Sequence, residues 1–191
     1  GKSECIVSFH GKGKKHAIQS SAKAGNIGKF EDITGDPISL LFVRSYKHVG
    51  TKTTLDLSMG EEVATRCAAM RVGSIRLRKQ VLRNQSLDIS KRLFIFQIYT
   101  LTKGTFQCCT WSQLSSTTAK KFHSCIMDLY RDVSGHYYGN KQDKPVVSDD
   151  ELLYQYELIS PETIIRIARL SLFCRICIKA PVPLRNLVCD M

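Results

Sequence analysis

With 191 residues, 43% of them hydrophobic and 24% charged, the chain has enough apolar content for a core of one domain or one and a half. No apolar run approaches the roughly 18 residues of a membrane span, and none sits at the N-terminus as a signal peptide would, so an intracellular protein, nuclear or cytoplasmic, is expected. The net charge of +11 is unevenly spread: residues 1–111 hold 18 Lys/Arg against 8 Asp/Glu, whereas residues 112–191 hold 10 against 9. A basic half without a low-complexity tail points to a folded phosphate-binding face rather than a solvated lysine-rich surface. Opening on Gly1 rather than Met, the chain reads as a fragment or a processed protein.

Residues 4–9 alternate, with Cys5, Val7 and Phe9 on one side, and read as a short strand. The basic loop Gly11-Lys12-Gly13-Lys14-Lys15 lacks the spacing G-x-x-x-x-G-K-[ST] that cradles nucleotide phosphates. Residues 16–23 predict one or two helical turns ended at Gly25, and 26–37 a loop punctuated by Gly28, Gly35 and Pro37. With no sheet partner in view for the first strand, poor order is expected over the first 40 residues. Residues 40–46 and 51–57 then form the two arms of a β-hairpin around 48–50, where Gly50 can supply positive φ.

Ser58 and Glu61 make a capping box for a helix over about 59–82. Met59, Val63, Cys67, Met70 and Ser74 recur along it at 3–4 spacing as an apolar seam. Arg71 with Arg78, and Arg76 with Arg83, are seven apart, which puts each pair on a common side away from that seam. From Arg66 to Arg92 there are eight basic residues and one acid, Asp88. The next helix, about 89–109, is apolar on most of its circumference through Leu93, Phe94, Phe96, Ile98, Tyr99 and Leu101. It is expected to be the buried centre of a bundle, weakened in its last turn by Gly104. A third helix over about 117–134 turns Phe122, Ile126, Leu129 and Val133 to one face and ends at Gly135. Beyond a polar linker at 136–147, Ser148 and Glu151 cap a short helix. Ser160-Pro161 starts a last one that runs to about 179, where Pro181 and Pro183 stop it.

The eight cysteines have neither zinc-finger spacing nor the look of a disulfide framework, so reduced, mostly core cysteines are expected. His10, His16, His123 and His136 have no partner pattern, and Trp111 reads as a packing anchor. The switch from period 2 to period 3.6 at Ser58 predicts an α+β fold, mostly α: a short strand and β-hairpin, then a helical bundle.

The order of these segments resembles the downstream end of a non-LTR (LINE-type) retrotransposon reverse transcriptase. Gly1-Lys2-Ser3-Glu4 before an apolar strand resembles the family's Lys-Thr-Glu motif at the end of the palm. Ser45-Tyr46-Lys47-His48-Val49-Gly50 resembles its Phe/Tyr-Lys-Tyr/His-Leu-Gly primer grip. Residues 89–111 are similar to its second thumb helix, which ends in Leu-Tyr-Gly-x-Glu-x-Trp. Val147-Ser148-Asp149-Asp150-Glu151-Leu152-Leu153 and Arg166-Ile167-Ala168-Arg169-Leu170 look like the segment beyond the thumb. The resemblance covers nearly the whole chain and is carried by the order of the motifs, not by any one of them. In this chain Gln107 and Cys109 stand where Gly and Glu are usual, and Val49 where Leu is.

That resemblance implies three segments: 1–58 as the end of the palm with the primer-grip hairpin, 59–145 as a helical thumb, and 146–191 as a helical segment beyond it. It implies a fragment of an RNA-directed DNA polymerase that grips the template–primer duplex. Tyr46, Lys47, His48 and Gly50 would hold the primer, and Arg71, Arg76, Arg78, Lys79 and Arg83 would track the backbone of RNA or an RNA–DNA hybrid by shape and phosphate. Lys2 would lie near the incoming nucleotide's phosphates. The family's metal-binding carboxylates, and the magnesium they hold, belong to the fingers and palm upstream in the same polyprotein. No catalytic residue, metal ligand or cofactor is therefore expected within these 191 residues, and the fragment alone is expected to be inactive. Val147-Ser148-Asp149-Asp150 imitates the family's catalytic Tyr/Phe-x-Asp-Asp turn but lies on the wrong side of the primer grip. Read from the residues alone, an alternative stays open: a free-standing basic helical module that binds nucleic acid or protein.

Overall fold

The computed structural model describes residues 4–31, 33–43, 45–48, 50–54, 57–136 and 147–189. The fold is α+β and mostly α, as the change of period predicts. Contacts divide the chain into two compact units, Gly1–Glu62 and Val63–Met191.

The first unit contains β1 (Glu4–Ile6), α1 (Lys14–Lys23), β2 (Ile27–Glu31), β3 (Pro37–Val43), β4 (Ser45–His48) and β5 (Thr51–Thr54). β3 is the middle of a three-stranded sheet. β1 runs parallel to it with Cys5 opposite Phe42, and β2 runs antiparallel on its other side with Phe30 opposite Ile38. Two expectations are corrected here: the first strand does have a partner, and residues 27–31 are a strand rather than loop. Gly28 misled the reading. It sits inside β2 because the rings of Phe30 and Phe42 close over it, where any Cβ would collide with Phe42. Phe42 also meets Phe9, with ring centroids 6.4 Å apart. The predicted hairpin exists but is shorter, because residues 40–43 belong to β3. Its arms are β4 and β5, with Tyr46 opposite Thr53 and Lys47 opposite Lys52, and Gly50 takes φ +84° in the turn.

In α2 (Gly60–Leu77) the Ser58 hydroxyl accepts the Gly60 N–H at 3.3 Å. The predicted seam is buried at Val63, Cys67, Met70 and Ser74. A π-helical turn, Arg78–Leu82, follows, and then α3 (Ile89–Phe96), whose N-cap is Asp88. The Asp88 carboxylate accepts the Ser90 N–H at 3.0 Å, and that bond holds its pKa below the ordinary value. A second π turn, Gln97–Leu101, and α4 (Thr102–Thr105) carry the chain to a 3₁₀ turn at Cys108–Thr110.

The second predicted helix is thus three pieces, and it is not the buried centre. Phe94, Ile98 and Tyr99 are exposed, while Leu93, Phe96 and Leu101 face inward. An apolar circumference allows a helix to be buried all round but does not provide the neighbours to cover it. The centre is α5 (Ser116–Ser134), where Phe122, Cys125, Ile126, Met127, Leu129, Tyr130 and Val133 are all buried. Each such large apolar side chain contributes about 1.5–3 kcal/mol relative to exposure. Phe96 meets Tyr130 edge-on at 5.5 Å and Trp111 meets Phe122 at 5.3 Å, so Trp111 is the anchor it was read to be. Burial lifts the Tyr130 phenol to about 12. Gly104 plays a different part from the one expected: a Cβ there would run into Cγ, Sδ and Cε of fully buried Met70. Its role is close approach of α4 to α2, not weakening of a turn.

α5 ends at Gly135, in the left-handed region at φ +84°. α6 (Asp149–Gln155) has the full predicted capping box, with Ser148 Oγ accepting from Glu151 N–H and the Glu151 carboxylate accepting from Ser148 N–H. α7 (Pro161–Lys179) starts at its Ser160 cap as read. After it comes α8 (Val182–Cys189), which the two prolines hid; Pro183 falls in its first turn, where backbone N–H groups have no helical acceptor. Among the described residues no helix is long and apolar enough to cross a membrane.

Candidate nucleic-acid interface

The five basic residues singled out on the first long helix separate into two groups. Arg71, Arg76 and Lys79 are exposed and make no ion pair with a described residue. They share one face of the helix with exposed Val72 and Ile75. Arg78 and Arg83 are instead tied inward. Arg78 Nε donates to Asp132 Oδ2 at 2.7 Å, Arg83 Nε donates to Asp132 Oδ1 at 2.9 Å, and a second Arg83 nitrogen bonds the same oxygen. Asp132, on α5, is 5% exposed. Burial alone would raise its pKa, but the two guanidinium groups outweigh burial and hold it below the usual carboxylate value. Arg78 and Arg83 thus share their charge with a buried carboxylate although each side chain is still 43% exposed. Helical spacing does not show which arginines a carboxylate 54 or 49 positions away will pair with. Arg92 is likewise structural, donating to the Leu82 and Val133 carbonyls at 3.3 and 3.1 Å. Arg66 stacks over Phe106 at 4.8 Å.

The cations that the linear reading missed are on α5. Lys120 and Lys121 meet Arg71 around a groove of about 390 Å³ between α2 and α5, lined also by Val63, Ala64, Cys67 and Ser124. Three cations from two helices thus line one groove, and none of the lining residues is acidic. In a groove with apolar walls, like charges of this kind raise the local potential and draw anions. The Lys120-Lys121 doublet was visible in the sequence, but nothing local links it to Arg71.

In the hairpin, Tyr46 and Lys47 are exposed on β4, and Lys47 lies directly across from Lys52. Like charges opposite one another disfavour a strand pair, so the hairpin carries a cost that an anion would relieve. The Lys52 N–H donates to the Glu62 carboxylate at 2.7 Å. Gly50 shapes the turn. The His48 backbone lies in β4, whereas its side chain and Lys2 are outside the described residues.

The imitation catalytic turn is structural in this fold. Asp149 Oδ2 lies 2.9 Å from His123 Nε2 and its Oδ1 lies 2.7 Å from buried Arg131 Nη1, while His123 Nδ1 lies 2.9 Å from the Glu162 carboxylate. His123, read as having no partner, joins the starts of α6 and α7 to α5. Burial pulls its pKa down, but the bonds to Asp149 and Glu162 together outweigh burial and raise it. Arg131 also donates to the Val147 carbonyl at 2.8 Å. Among the described residues no group of three or more His, Cys, Asp or Glu side chains could hold a metal ion. Cys67, Cys108 and Cys125 are buried free thiols, whereas Cys174 is exposed on α7. No family model, curated protein or solved structure matches this chain.

Proposed function

We propose that this chain grips nucleic acid as part of a non-LTR retrotransposon reverse transcriptase, with the β4–β5 hairpin as primer grip, residues 59–145 as thumb and 146–191 as a helical segment beyond it. The observation that carries the nucleic-acid reading is the convergence of Arg71, Lys120 and Lys121 on one groove, continued by Arg76 on α2 and Lys79 on the π turn after it. Spaced cations on a rigid helical surface suit a repeating phosphate backbone, and the Val72 and Ile75 side chains among them suit contact with sugar faces in the shallow minor groove of an A-like duplex. The polymerase assignment rests on the resemblance of motif order. Chemistry at the primer end would then come from magnesium-binding carboxylates of the upstream palm, while these residues position the duplex.

Binding of an RNA–DNA hybrid, followed by fluorescence anisotropy across a salt series, tests the reading. Each phosphate contact contributes a log–log slope of about −0.9. Replacing Arg71, Lys120 and Lys121 by Ala should flatten the slope by about two units while leaving sequence preference unchanged. Arg175 and Lys179, on α7 away from this groove, serve as the comparison pair and should change the slope little. Equal flattening for the two sets, or weak binding by the unaltered chain, would remove the physical support for the proposal.

A further inference from the structure

A thiol lines the same groove as the three cations. Cys67 lines the groove and is 7% exposed, so its sulfur is set into the wall rather than standing clear of it. Cys125, 1% exposed, lies next to it on α5 and donates its S–H to the Cys67 carbonyl at 3.8 Å. The site therefore combines a nucleophile, a neighbouring S–H donor, and the positive charges of Arg71, Lys120 and Lys121 at its mouth.

We propose that Cys67 is a modification site for anionic disulfides of the oxidised-glutathione class, which the three cations draw into the groove. The step is thiol–disulfide exchange. The Cys67 thiolate places its electron pair on one sulfur of the incoming S–S bond. That bond breaks, and the other half leaves as a thiolate that takes a proton from water. Cys67 ends in a mixed disulfide; it is oxidised by the same two electrons that reduce the departing half, and the disulfide reagent is the only oxidant.

The environment favours Cys67 over its neighbour as the attacking group. The neighbouring Cys125 thiol lowers the Cys67 pKa below the ordinary 9.0, burial opposes this, and the Arg71 charge adds to the lowering. Cys125 moves the other way, raised by its bond to Cys67, by burial and by the Cys67 charge, with Asp128 adding to the rise and Arg71 opposing it. Once Cys67 is in the mixed disulfide its bond and charge no longer act on Cys125, but burial and the Asp128 charge still favour the Cys125 thiol over its thiolate, which slows closure into a Cys67–Cys125 bond.

The test exposes the full chain to oxidised glutathione at neutral pH, quenches at intervals by alkylation, and reads each cysteine by peptide mass spectrometry. Cys67 should be glutathionylated faster than Cys174, although Cys174 is far more exposed. With uncharged hydroxyethyl disulfide the preference should shrink, because the cations no longer select the reagent. Replacing Lys120 and Lys121 by Glu should slow reaction of glutathione at Cys67 by about tenfold and leave Cys174 unchanged. Cys125→Ala should move the pH profile of Cys67 labelling upward, and Cys125→Ser, which keeps a donor, should move it less. Labelling of Cys174 ahead of Cys67, or equal slowing at both sites by the charge reversal, overturns the proposal. These readouts need no nucleic acid, so the outcome is independent of the thumb reading.

Discussion

Asp132→Asn keeps the shape of the side chain that joins α5 to the π turn and removes its charge. In the native protein the carboxylate receives bonds from Arg78 Nε at 2.7 Å and Arg83 Nε at 2.9 Å, together with a second Arg83 nitrogen. A charge-assisted hydrogen bond contributes about 1.5–3 kcal/mol when well buried. Both arginine side chains are 43% exposed, so solvent screening reduces each arm to about 1–1.5 kcal/mol. The expected loss is therefore about 2–3 kcal/mol near neutral pH. With a urea m-value of about 2 kcal/mol/M, the unfolding midpoint should fall by about 1–1.5 M. The sign of the pH dependence follows from the folded pKa lying below the ordinary 3.8. Stabilisation from the ionised group is complete above the unfolded value and is lost as pH falls through the folded one. The gap between the two proteins should thus be level from about pH 5 to 8 and close on acidification below 3.8. Urea titrations at several pH values measure both features. A gap under about 0.5 kcal/mol at neutral pH, typical of an ordinary surface change, or one that widens in acid, would refute the reasoning.

Gly104→Ala should destabilise the helical unit by about 1–3 kcal/mol, because the added methyl group meets the buried Met70 side chain. In a double-mutant cycle, shortening Met70 to Ala should make the Gly104 change less costly, and additive losses would show that the two residues do not compete for the space. His123→Ala should cost about 0.5–1 kcal/mol at pH 5.5 and little at pH 9. A His whose folded pKa is raised above 6.5 stabilises fully below that value and loses the contribution as pH rises through the folded one. Thermal melts across that range check it; a loss that is the same at both ends would mean that His123 acts by packing alone.

What the sequence made legible was what depends on near neighbours. Ser148 with Glu151 and Ser160 with Pro161 mark helix starts within four residues, and both starts lie where those residues place them. The seam of α2 was legible for the same reason, since helical period alone brings Val63, Cys67, Met70 and Ser74 together. The misreadings are contacts between distant segments. Arg83 and Asp132 are 49 positions apart, and no local pattern says which arginines will be claimed by a carboxylate. Gly28 was read as a break because the sequence does not show the Phe42 ring that needs the space. The candidate site shows both cases. Arg71, Arg76 and Lys79 were visible as part of a basic helical stretch, whereas Lys120 and Lys121 acquire meaning only when α5 lies beside α2.

The π turn after α2 also bears on how the chain can change length. Its closing bond runs from Arg83 N–H to the Arg78 carbonyl, at 2.9 Å, five positions back. On an α-helix, positions four apart share a side; on a π turn, positions five apart do so. One codon fewer between Arg78 and Arg83 therefore leaves both guanidinium groups pointing the same way, provided the π turn becomes an α turn with it. The ion pair fixes the orientation of this segment but not the number of its residues, so selection acting through Asp132 alone would not register such a deletion.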